Sequence, residues 1–324
     1  MNKIVICDNL YSILIYFLVS SLDERTLFLL GKNLKKINLK KIKYKEIKYS
    51  SGNYLFKYLA EKKYYNKILQ ENSIACIYGN DHIQGANYFL NKKIPFYLLE
   101  DGTISYEGPQ EILKNEKKIS FIKKFLFKIL KIKKCYGLND TVKKIYLTGL
   151  APTPKEIVHK VKLINLKELW NKKTLKEQRE ILDIFSFDLN VKEKIKGRDI
   201  ILFTQPLSED NVITEEEKIE IYSKIIKKYS KDRLIIKTHP REKTNYKDIF
   251  KEYLVLDNPF PFEILNLLEV KFSRTITIFS TAALGLGDEV EVDFYGTEIH
   301  KNILEKFGSY KKIYPTTKYI KEEE

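Results

Sequence analysis

Sulfur is scarce in this 324-residue sequence, which holds three cysteines and a single methionine. Cys7, Cys76 and Cys135 are odd in number, far apart and without Cys-x-x-Cys spacing. That pattern argues against a disulfide framework and fits a reducing cytoplasm. Long apolar runs are missing too. The run from Leu10 to Leu22 is too short for a bilayer, which takes about 20 residues. It follows a strand-like Lys3-Ile4-Val5-Ile6-Cys7-Asp8 and reads as the first helix of a βαβ unit. The start does not read as a signal peptide, because it is barely basic and no small-residue cleavage site follows. Zinc-ligand pairs, an RNA-binding aromatic signature and a clear helix-turn-helix are all absent, which removes the usual nucleic-acid modules. There is no internal repeat and no low-complexity linker.

What is present describes a folded protein with a sizeable core. Hydrophobic residues make up 44%, with 22 Tyr and 18 Phe, close to the globular norm of roughly 45–50%. The length suits two domains, since single cores rarely grow beyond about 250–300 residues. The formal charge of +15 favours anionic small molecules, anionic membrane surfaces and polyanions. Heavy use of Lys, Ile and Asn reads as an AT-rich coding bias, which inflates that charge. With no recognition motif beside it, charge alone does not make a nucleic-acid partner.

Apolar runs alternate with helical patterns from end to end, which predicts parallel sheets covered by helices. One series of strands is expected at Ile4–Cys7, Thr26–Leu30, Ile74–Tyr78, Phe96–Leu99 and Lys144–Leu147. A second is expected at Asp199–Phe203, Arg233–Ile236, Tyr253–Leu256, Thr275–Phe279 and Val290–Phe294. The helix after Thr214 opens with Thr214-x-x-Glu217, the capping-box spacing. Thr148 to about Gly197 separates the series and reads as a connection leading into the second domain. The expected fold class is α/β, with two Rossmann-like domains facing across a cleft. Residues 1–160 would be the acceptor side and residues 161–324 the donor side.

The segment Lys117–Lys134 stands apart. Ile119, Ile122, Phe125, Leu126, Ile129 and Leu130 line one helical face, flanked by eight lysines and no acid. It reads either as a core-packed helix with solvated lysines or as an interfacial helix on anionic lipid.

Four short segments follow expected strands: Leu99-Glu100-Asp101-Gly102, Phe203–Asp210, Lys237-Thr238-His239-Pro240-Arg241 and Phe279-Ser280-Thr281-Ala282-Ala283-Leu284. Open α/β sheets bind ligands outside the carboxyl ends of their strands. Pro240 holds His239 out of helical geometry, where an imidazole can donate to a phosphate oxygen. From His-Pro alone a structural turn histidine is the commoner reading; the positive charge of Lys237 and Arg241 moves it toward phosphate. Ser280 and Thr281 open a helix and suit an anion or a plain N-cap. The pairs Glu100-Asp101 and Glu209-Asp210 offer a general base for a hydroxyl, although Asp-Gly also makes turns. Asp288-Glu289-x-Glu291-x-Asp293 matches an exposed strand face better than a metal site.

At these segments the chain resembles the bacterial sialyltransferases of glycosyltransferase family 52, from Ile4 to about Tyr295. That family includes enzymes acting on lipooligosaccharide and streptococcal capsule. The resemblance implies the GT-B architecture, CMP-sialic acid as donor, inversion at the anomeric carbon and no required metal or other cofactor. It implies Asp210 as base, with Asp101 the rival and Glu209 leaving the register open by one residue. His239 would be the acid toward the leaving phosphate and Ser280 and Thr281 its holders. Lys237 and Glu263 join the donor-site residues, Glu263 for the ribose hydroxyls. The acceptor would be a galactose-terminated glycan of the cell surface, and relatives of this kind can be homodimers. The amino-terminal anchor of some lipooligosaccharide sialyltransferases is not recognisable, so the expectation is a cytoplasmic enzyme, peripheral on the inner membrane face through 117–134. The rivals are a transferase of the same fold using another donor, such as UDP-glucose, and a non-catalytic polyanion- or lipid-binding relative.

Overall fold

The computed structural model describes residues 2–21, 23–32, 34, 37–48, 54–118, 133–280, 283 and 290–309. The chain divides into two compact units, Met1–Phe185 and Ser186–Glu324. Thr281, Asp288, Glu289 and all but the ends of the 117–134 segment lie outside the described residues. Among the described residues no helix is long and apolar enough to cross a membrane.

The first unit is built on seven strands: β1 Asn2–Cys7, β2 Thr26–Leu30, β3 Tyr44–Glu46, β4 Ile74–Gly79, β5 Phe96–Leu99, β6 Val142–Leu147 and β7 Val161–Leu163. All pairs are parallel, in the order β3-β2-β1-β4-β5-β6-β7. Parallel sheets are covered on both faces, so their central strands read as continuous apolar runs rather than alternations. Ile4, Val5, Ile6 and Cys7 are all fully buried for this reason. Ile4 and Ile6 belong to a core with Tyr65, Ile68 and Phe89. The apolar helix Leu10–Val19 packs on β1, β4 and β5. Asn9 starts it by accepting the Ser12 N–H at 2.7 Å, which satisfies one of the helix's unpaired donors.

The division between the units falls after Phe185, not after residue 160. β7 pairs with β6 and so completes the first sheet. The helices Leu166–Asn171 and Leu175–Ile184 then return over the first unit. Lys173 Nζ donates to Ser20 O at 2.8 Å, the Asn38 N–H to Ile184 O at 2.7 Å, and Phe185 packs edge-on against Phe17. The stretch expected as a connection is thus a strap that finishes the first unit.

The second unit holds β8 Ile200–Phe203, β9 Leu234–Lys237, β10 Leu254–Leu256, β11 Arg274–Thr277 and β12 Glu291–Phe294. Its parallel order is β10-β9-β8-β11-β12. The helix Glu215–Ile226 has the Thr214/Glu217 capping box that its spacing predicts. Both sheets reverse direction of winding once, between β1 and β4 and between β8 and β11, and such switch points open a crevice at the strand ends.

Gly79 closes β4 directly against β1. A Cβ there would lie 1.9 Å from the Ile6 carbonyl oxygen, and the residue has φ +139°. Gly79→Ala is therefore expected to destabilise the protein by about 3 kcal/mol or more, through overlap and backbone strain together. Thermal unfolding of the purified variant checks this.

Candidate active site

In each unit the carboxyl ends of the strands gather the polar side chains. The first unit places Glu100-Asp101 after β5, Asn80-Asp81-His82 after β4 and Thr148 after β6. Glu100 is fully buried and turned inward. Its carboxylate accepts from the Thr148 N–H and hydroxyl, from the Tyr106 hydroxyl at 3.1 Å and from the Tyr11 hydroxyl at 3.3 Å. Burial pushes its carboxyl above the ordinary range, against the pull of those donors. Asn80 ties the same corner together, donating to Ser12 Oγ at 3.0 Å and to Leu99 O at 3.1 Å. Asp101 stays half-exposed, and its Oδ2 lies 3.2 Å from His82 Nε2.

The second unit repeats the pattern with other residues. Glu209 turns inward to Lys218, which is fully buried, at 3.0 and 3.2 Å, and its Oε1 accepts the Lys243 N–H at 2.6 Å. Burial pushes the Glu209 carboxyl up, but these donors overcome it and hold it at about 2. Asp210, next along, faces outward and takes both guanidinium nitrogens of Arg241, at 2.5 and 3.0 Å. In both doublets the first acid is scaffold and the second is presented. Glu209 is spent on Lys218, and Asp210 is the acid of this doublet that the turn presents outward.

Glu242, absent from the sequence expectations, builds the His-Pro turn. It is buried, accepts the His239 N–H at 2.7 Å and the Thr204 hydroxyl on Oε2, and accepts from Tyr246 at 2.9 Å on Oε1. His239 Nδ1 accepts the Arg241 N–H at 3.1 Å, so the proton of the neutral ring sits on Nε2. Burial, then the charges of Arg241 and Lys237, lower its pKa to about 4. The ring is therefore a neutral N–H donor at physiological pH.

The other expected donor-site residues are dispersed. Lys237 is buried, donates to Thr238 O at 3.0 Å and Asn258 O at 3.2 Å, and lies 4.7 Å over the Phe260 ring. Its ammonium shapes the strand end. Ser280 follows β11, with its N–H on Thr277 Oγ1 at 2.8 Å. Gln205 ties β8 to β11 by accepting the Phe279 N–H at 3.1 Å. Glu263 opens the short helix Glu263–Leu267. Glu291 and Asp293 are both paired with Arg274; Glu291 is exposed, whereas Asp293 is buried and does not lie on the exposed strand face that was expected. Among the described residues no group of His, Cys, Asp and Glu could hold a metal ion.

Lys218 also reaches Glu215 at 3.0 Å and Glu242 at 3.9 Å. Lys218→Met would leave three carboxylates around an apolar chain. Breaking a buried ion pair from one side costs about 3–5 kcal/mol. A fall of that size in urea-unfolding stability is expected.

Two parallel Rossmann-type sheets are the two halves of the GT-B fold, and solved structures of that fold match the chain. An α/β-galactoside α-2,3-sialyltransferase of Photobacterium phosphoreum superposes with TM-score 0.59 at 14% identity, over 94% of this chain and 93% of that one. A 2,6-sialyltransferase of Photobacterium sp. JT-ISH-224, in ternary complex with CMP and lactose, gives 0.61 at 11% identity, over 94% and 75%. The GT-B domain of a Photobacterium damselae sialyltransferase gives 0.55 at 14%, over 94% and 96%. At such identities the likeness speaks for the fold alone. The family is shown by the sequence itself: the glycosyltransferase family 52 profile matches residues 19–303, and the chain belongs to that family. An uncharacterized protein of Haemophilus influenzae is 46% identical over 243 residues, 75% of this chain and 74% of that protein.

Proposed function

We propose that this glycosyltransferase is an inverting sialyltransferase, moving sialic acid from CMP-sialic acid to a terminal galactose of a capsular or lipooligosaccharide glycan, without a metal ion. The observation that carries the reading is the His239 turn of a family 52 chain. A neutral Nε2–H donor, flanked by Arg241, stands at a strand end where a phosphate is expected. The solved relative with CMP and lactose bound supports the choice of donor and acceptor class.

In this reading the acceptor hydroxyl attacks the anomeric carbon and loses its proton to a carboxylate. The bond from that carbon to the CMP phosphate breaks, and CMP leaves with its negative charge. His239 and Ser280 stabilise that charge by hydrogen bonds, as pre-placed donors do in a water-poor site. Asp101 is the base favoured by the geometry, since both Asp210 oxygens are occupied by Arg241 while Asp101 has His82 on one. Asp210 then holds Arg241 beside His239. The opposite assignment, with Asp210 as base, requires Arg241 to release it.

CMP release from CMP-sialic acid, measured with and without lactose in EDTA, tests the proposal. Lactose-stimulated release with a sialylated product is the expected result. Folded protein that releases nothing, and is stabilised by UDP but not by CMP, would move the reading to another nucleotide sugar.

A further inference from the structure

His82 was not among the residues expected from sequence, yet its surroundings are the most built part of the first unit's strand ends. Its Nε2 lies 3.2 Å from Asp101 Oδ2. Its ring stacks on Tyr136, with centroids 4.7 Å apart and planes 18° apart. Tyr136 is itself held from behind. The Asp81 carboxylate, 3% exposed, accepts the Tyr136 N–H at 2.7 Å and the Gly137 N–H at 2.8 Å. Those bonds fix Tyr136 in the left-handed region at φ 54°, where a non-glycine residue otherwise costs about 1–3 kcal/mol. Gly108 comes so near the same ring that a Cβ there would fall 2.5 Å from Tyr136 Cγ. A strained residue, a buried carboxylate and a missing side chain all serve to place one aromatic face against one imidazole.

We infer that His82 is a positioning residue for Asp101, orienting that carboxylate toward the acceptor hydroxyl. The inference rests on the reading of Asp101 as the base. A carboxylate on a turn after a strand rotates freely about its side-chain bonds. A hydrogen bond from a stacked ring removes that freedom, and a misplacement of about 1 Å can cost about 10²-fold in rate. The charged groups acting on the imidazole are Asp101 from the end of β5, Asp81 from the end of β4 and Asp8 from the end of β1, with the Tyr136 ring stacked on it. Burial lowers the His82 pKa, but the three carboxylates outweigh it and leave it raised.

Two variants and one spectroscopic measurement test this in the full chain. His82→Ala should lower kcat for transfer to lactose about 10²-fold, with the KM for CMP-sialic acid unchanged. His82→Gln keeps an N–H donor and should recover most of that kcat. A merely structural role would lower the yield of folded protein and leave kcat per folded enzyme unchanged. Wild-type kcat in His82→Ala, or no recovery in His82→Gln, would overturn the inference. The second arm needs no turnover. With four histidines in the chain, the His82 imidazole resonance can be assigned by its loss in His82→Gln and titrated by NMR. Its pKa should fall in Asp101→Asn; an unchanged pKa would overturn the pairing. If the wild-type enzyme fails to use CMP-sialic acid while that coupling is found, it is the donor reading that fails, and the pair stands.

Discussion

On the proposed reading, Asp101→Asn is expected to lower the turnover of sialyl transfer by about 10²–10⁴, the usual cost of removing a general base, and to leave CMP affinity at the wild-type value. The split is the informative part. Asparagine is isosteric, so the turn after β5 and the contact with His82 are preserved and only the proton acceptor is lost. Asp101 lies on the first unit, whereas the residues assigned to the phosphate lie on the second, so donor binding has no reason to change. Asp210→Asn is expected to act differently. It removes the charge that holds Arg241 at 2.5 and 3.0 Å, and so raises the donor KM more than it lowers kcat. Steady-state kinetics with varied donor and acceptor separate the two. A larger kcat loss in Asp210→Asn than in Asp101→Asn would hand the base to the second unit.

His239→Ala is expected to cost about 10²–10³ in kcat, the loss typical of one pre-placed donor. Its pH dependence is distinctive. The ring is neutral above about pH 4, so its contribution is flat across the working range. An acid limb above about pH 4 therefore does not report His239 and survives in His239→Ala. The same shift bears on stability. A histidine whose folded pKa lies below its unfolded value stabilises the fold above the unfolded value, near 6.5. That contribution is lost as pH falls toward about 4, because the unfolded chain then binds the proton more readily. Wild-type protein should lose stability across that window more steeply than His239→Ala, which urea titrations at pH 7 and pH 4.5 would reveal.

Ten strands are legible in the sequence, eight of them central, where burial on both faces favours apolar runs such as Thr26–Leu30, buried throughout. β3 and β7 are not legible. Tyr-Lys-Glu and Val-Lys-Leu are edge strands of three residues, too short and too exposed to show a buried apolar run. The strap before Phe185 reads as a linker because its helices are polar outside and rely for stability on the unit beneath them. Asp101, Asp210 and His239 are legible as strand-end residues, and the structure puts all three there. What sequence spacing does not reveal is which acid of each doublet is buried. Glu209 is settled by Lys218, a lysine on the next helix, and Glu100 by hydroxyls from Tyr11, Tyr106 and Thr148. His82 carried the same strand-end signal, directly after the expected strand Ile74–Tyr78, and gained its meaning only from Tyr136.

The strap has a practical consequence for anyone dividing this chain for separate expression. A fragment ending at residue 160 loses β7, leaving β6 with a bare row of N–H and C=O groups, a template for sticking to other chains. It also uncovers Phe17 and the end of the Leu10–Val19 helix, where Phe185 and Lys173 now sit. Such a fragment should be recovered mainly as aggregate. A fragment carried to Phe185 keeps its edge and its cover, and should run as a soluble species on gel filtration.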